Sequence, residues 1–83
     1  MFTIKVTTAS GKEVIESGYG IQWTPYAFKL DYTDHNNRGD DLVLQPGDKA
    51  EIINSAGHTV ARYVNDIKSQ DALISITRPG TAL

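Results

Sequence analysis

Apolar and polar residues alternate along much of the chain. Phe2, Ile4 and Val6 alternate with Thr3, Lys5 and Thr7, the period of a strand with one wet face. Residues 9–12 (Ala-Ser-Gly-Lys) read as a turn and 13–16 as a returning strand, so the chain opens on a hairpin. At 17–20 the run Ser-Gly-Tyr-Gly interrupts it, and two glycines around a tyrosine predict a bulge or a loop. A strand over 21–24 is stopped by Pro25. From 27 to 32 the alternation returns, with Phe28, Leu30 and Tyr32 on one face and Ala27, Lys29 and Asp31 on the other. Residues 33–40 hold no apolar side chain and predict a loop, the most mobile stretch of the molecule.

The second half repeats the theme. Residues 42–44 are a short apolar strand, and Pro46-Gly47-Asp48 is a tight turn. Strands over 50–54 and 59–64 flank the glycine-containing loop 55–57, the clearest hairpin in the sequence. Residues 65–70 predict one helical turn capped by Asn65 or Asp66. A last strand follows over 73–77, with 81–83 as a loose tail. The expected fold is all-β, a small antiparallel sandwich or partly closed barrel of six or seven short strands.

Composition agrees with this pattern. Eight Thr, eight Ile and five Val make β-branched side chains a quarter of the 83 residues, and these suit a pleated, half-buried surface. The length predicts a single domain over 1–83 with a small core. A sheet of this size has open edges, so a homodimer that covers one of them is the default expectation.

Charge and cysteine content narrow the chemistry. The net charge is -2, which argues against a binder of nucleic acid or of an anionic membrane, since both need clustered Lys and Arg. No cysteine is present, so disulfides, thiolate metal sites and cysteine nucleophiles are excluded. No apolar run approaches a membrane span, and the N-terminus lacks the apolar core of a signal peptide.

Catalytic groupings are sparse. His35 falls in a polar loop and His58 beside Gly57 at a hairpin tip, and both read as exposed turn residues. Phosphate-binding, nucleophile-elbow and zinc-protease motifs are missing. Asp31, Asp34, Asp40 and Asp41 with His35 place four carboxylates and an imidazole within eleven residues. Their order departs from a calcium-binding loop, so neither a metal nor another cofactor is expected. The Glu13/Glu16 and Asp40/Asp41 pairs have nothing to mark them as an acid–base couple. Arg38-Gly39-Asp40 spells the tripeptide that integrins read, but a given tripeptide is common by chance. The chain is expected not to be an enzyme.

The aromatic residues are more informative. Tyr19, Trp23, Tyr26, Phe28 and Tyr32 fall within fourteen residues. Trp23, Phe28 and Tyr32 can be absorbed by a core, whereas Tyr19 between glycines and Tyr26 after a proline are harder to bury. Tyr and Trp anchor protein interfaces. The expected partner-binding surface therefore combines Tyr19, Trp23 and Tyr26 with Asp34, Arg38, Asp40 and Asp41, and the expected activity is non-enzymatic binding to another protein. Two alternatives stand beside it. One is capture of a nucleotide by an oligomer, with Lys29, Arg62 and Arg78 facing the phosphates. The other is a structural subunit of a larger assembly.

In size, absence of cysteine and hairpin style, shown by residues 51–60 (Glu-Ile-Ile-Asn-Ser-Ala-Gly-His-Thr-Val), the chain resembles small β-rich accessory proteins of bacteriophages. Some of these inhibit host defence or other host machinery. The resemblance carries no motif and assigns no residue. It implies a protein that blocks a host protein sterically in the bacterial cytoplasm.

Overall fold

The computed structural model describes residues 1–66 and the backbone of Thr81 and Ala82. Three hairpins follow one another: β1 (Phe2–Thr7) with β2 (Glu13–Thr24), β3 (Lys29–Thr33) with β4 (Gly39–Val43), and β5 (Lys49–Ile53) with β6 (Thr59–Val64). A short β7 (Thr81–Ala82) pairs with β2 where a loose tail was expected. All pairings are antiparallel, and the sheet order is β4-β3-β2-β1-β5-β6. The all-β antiparallel expectation holds, in the form of one sheet that is not closed into a barrel. There is no helix among the described residues. The turn expected at 65–70 falls largely outside them, as does all of the strand expected at 73–77.

β2 is the hinge of the architecture. Residues 17–20 do not end the strand, which runs on for twelve residues. Its first half pairs with β1, from Thr7↔Glu13 to Phe2↔Gly18. Its second half pairs with β3, and the register shifts between Tyr19 and Gln22. The extra residue makes a bulge, with Gly20 at φ 61°, and a bulge bends its strand and increases the twist. Gly18 is needed for a different reason. A Cβ there would run into the Tyr32 ring and stand 2.9 Å from the Thr33 carbonyl oxygen.

The bend folds the sheet over its own inner face. Ile4, Val6, Ile21, Leu30, Leu44, Ala50 and Ile52 are buried there with Trp23, Phe28 and Tyr32. In a flat sheet β2 and β6 would lie about 14 Å apart, three strand spacings. Instead Trp23 on β2 stacks on Tyr63 of β6, with ring centroids 4.7 Å apart and an interplanar angle of 18°. Trp23 also meets Phe28 edge-on at 6.1 Å. This aromatic cluster joins the two ends of the sheet.

The three hairpins share one turn. At 8–12, 34–38 and 54–58 the first residue donates its N–H to the carbonyl of the fifth, and the fourth donates back to the carbonyl of the first. The side-chain oxygen of Thr8, Asp34 or Asn54 accepts the N–H of the fifth residue. The fourth residue needs a left-handed backbone, and Gly11, Asn37 and Gly57 supply it at φ 90°, 61° and 86°. The segment 33–40, expected as a loop, is thus a closed turn over 34–38, with Thr33 ending β3 and Gly39 and Asp40 opening β4. Its signature was present in Asp34 and Asn37, but asparagine stands where the other two turns carry glycine.

A small buried polar cluster secures the other end. Asp48 accepts the N–H of Ala9 (3.1 Å) and of Gln45 (2.9 Å). Asn65 donates its side-chain amide to the Leu44 carbonyl (2.7 Å) and its backbone N–H to the Asp48 carbonyl (3.0 Å). These bonds tie the first turn, the turn before β5 and the end of β6 together, and burial of the carboxylate and amide is tolerated because they are satisfied.

Candidate functional site

The residues singled out from the sequence gather on the half of the sheet made by β3, β4 and the end of β2, with one exception. Trp23 is only 7% exposed and belongs to the core. Its place in an expected binding surface is corrected. It alternates with Gln22 and Thr24 on a strand whose inner side faces Phe28 and Tyr63, and stacking there removes the indole from water.

Tyr19 and Tyr26 are exposed, 40% and 73% respectively. Tyr19 lies opposite Thr33 and donates its hydroxyl to the Asn37 side-chain oxygen, 2.5 Å away. The ring is thereby pinned against the 34–38 turn. Tyr26 sits on the turn between β2 and β3, which Ala27 N–H to Thr24 O and Phe28 N–H to Pro25 O close at 3.3 Å each. Phe28 ends this turn at φ 49°, a conformation a bulky side chain adopts only at a cost of about 1–3 kcal/mol. Burial of its ring against Trp23 offsets that cost. The two tyrosines mark opposite ends of β3, whose five residues span about 16 Å.

The carboxylates lie between them. Asp34 is spent on its turn, accepting the N–H groups of Asn36 (2.8 Å) and Arg38 (3.0 Å). The Arg38 backbone donor, helped by that of Asn36 and by the charges of His35 and Arg38, holds the Asp34 carboxyl below its usual value. Arg38 itself projects into solvent. Asp40 lies opposite Tyr32, accepts its hydroxyl at 3.3 Å and accepts the Asp41 N–H at 2.8 Å. Both oxygens of the Arg38-Gly39-Asp40 tripeptide's carboxylate are therefore engaged within the hairpin. The Tyr32 phenol is pushed up to about 12, first by burial and then by the neighbouring negative charges of Asp40, Glu16 and Asp34.

Asp41 stands directly opposite Asp31. Cross-strand partners share a face, so two like charges are juxtaposed, an arrangement that costs stability. Lys29 lies 3.7 Å from Asp31 and partly compensates. Asp31, Tyr32, Gly39, Asp40 and Asp41 line a shallow depression of about 320 Å³. Glu16, considered from the sequence only as a pair with Glu13 and left out of the expected binding surface, adds to this negative end. Its position opposite Ile4 comes from the β1–β2 register, and it shares a strand face with Gly18, on which Tyr32 packs.

Among the described residues, no group of three or more His, Asp or Glu side chains is placed to hold a metal ion. His35 and His58 occupy exposed turn positions, as expected. Lys29 and Arg62, expected to face the phosphates of a nucleotide captured by an oligomer, stand on different halves of the sheet within one chain, and Arg62 lies 3.7 Å from Glu51. Arg78 is outside the described residues. No helix of the described residues is long and apolar enough to cross a membrane. No protein-family model, curated protein or solved structure matches the chain.

Proposed function

We propose that the chain is a non-enzymatic protein-binding module, and that it lays the outer side of the β3–β4 hairpin on its partner. The observation that carries this reading is the exposure of Tyr26, 73%, on a turn whose backbone is set by Pro25 and by the left-handed Phe28. An aromatic ring held out in water on a short, closed turn offers large apolar area at low entropic cost, the property of interface anchors. Tyr19, fastened to Asn37, is the second anchor. Asp31 and Asp41 between them favour a partner that presents Lys or Arg, through faster association and through register. Asp40 shares the inner side with Tyr32 and is taken out of the expected surface. Binding of this kind acts by covering a surface. The small size and hairpin style, shared with bacteriophage accessory proteins, support a target in a bacterial host, such as a defence protein blocked in the cytoplasm.

The test uses immobilised wild type beside Tyr26→Ala and Tyr19→Ala, each verified as folded by circular dichroism. A host protein retained by the wild type is then purified, and its affinity measured for all three. Each substitution is expected to weaken binding by about 1–2 kcal/mol. Equal affinity for all three chains would sink the proposed surface.

One observation favours a second reading, capture of a small anionic ligand such as a nucleotide. A groove of about 500 Å³ on the other half of the sheet is bordered by Lys49, Glu51, Arg62 and Tyr63. A ligand held there at a hundred times its Kd stabilises the fold by about 2.7 kcal/mol and raises the melting temperature. An unchanged Tm across mono-, di- and cyclic nucleotides removes this reading.

A further inference from the structure

We draw no further inference here: the strongest candidate, the outward edge of strand β6 with Val60 and Val64 exposed along it, carries nothing because nothing in the structure shows what covers it.

Discussion

The β3–β4 and β5–β6 hairpins close on the same five-residue turn, from Asp34 to Arg38 in one and from Asn54 to His58 in the other, and each contributes an outermost strand of the described sheet. Their central cross-strand pairs are opposite in kind. In β5–β6, Glu51 faces Arg62, and the charges lie 3.7 Å apart. In β3–β4, Asp31 faces Asp41, and the nearest relief is Lys29 on the same strand. A matched pair is what folding alone favours. The unmatched pair gives the β3–β4 hairpin a cost that the β5–β6 hairpin does not carry. It also blunts the β4 edge against pairing with another strand, the conservative explanation for carboxylates on an outermost strand. The proposed binding surface and this protective role differ in what substitution should do.

The largest effect is expected where the two hairpins meet. Trp23 touches Phe28 ahead of β3 and Tyr63 on β6, so Trp23→Ala removes the contact that holds both ends of the folded sheet. Chemical denaturation should show a loss of about 3–5 kcal/mol. A loss below about 1 kcal/mol would mean that the sheet does not depend on this cluster to stay folded over.

Charge exchange separates the hairpins with a smaller, signed effect. Asp41→Lys converts a like-charged pair into an opposite one and should stabilise by about 0.2–1 kcal/mol, while Arg62→Glu does the reverse by a similar amount. Thermal melts at low and high salt check both, since screening should shrink the two shifts together. If Asp41→Lys stabilises the fold and weakens partner binding, the carboxylate serves recognition. If it stabilises without touching binding, edge protection accounts for it.

The smallest effect concerns the turns. The Asp34 carboxyl is held below its usual value by the backbone N–H groups it caps. Its contribution to stability is therefore complete above the unfolded-state value and is lost as pH falls through the lower folded-state value. Asn54 fills the corresponding place in the other turn and does not titrate. Wild type should consequently lose slightly more Tm than Asp34→Asn as pH falls from about 7 to about 2.5. Parallel pH profiles for the two proteins would show that capping does not depend on the charge.

Much of the fold was legible because short-range rules governed it. Alternation over 2–7 and 27–32 set Phe2, Ile4, Val6, Phe28, Leu30 and Tyr32 on one face, and all are buried except Phe2, which is half-buried against the core. Glycines at 11 and 57 announced two of the three hairpin turns. The third was missed because Asn37 does a glycine's work there. Of the candidate surface, Tyr19 and Tyr26 were correctly expected to resist burial. Trp23 was expected to fit the core and was also placed on the binding surface, because a tryptophan is an interface anchor as readily as a core residue. Its 7% exposure leaves only the first role. Asp48 and Asn65 gave no sign of burial, since turn residues are ordinarily wet and only the meeting of three segments encloses them.

The sequence by itself determined the all-β character, most of the strand segments and the polar character of the β3–β4 turn, because side-chain period and turn chemistry act over a few residues. It did not show that β2 runs unbroken over Glu13–Thr24 or that Thr81–Ala82 pairs with it. Tertiary structure decided the rest. The Tyr19–Gln22 bulge bends β2, and Gly18 lets Tyr32 lie against its backbone. That bend brings Trp23 onto Tyr63. The stacking of Trp23 on a residue forty positions away follows from that bend, and no local pattern encodes it.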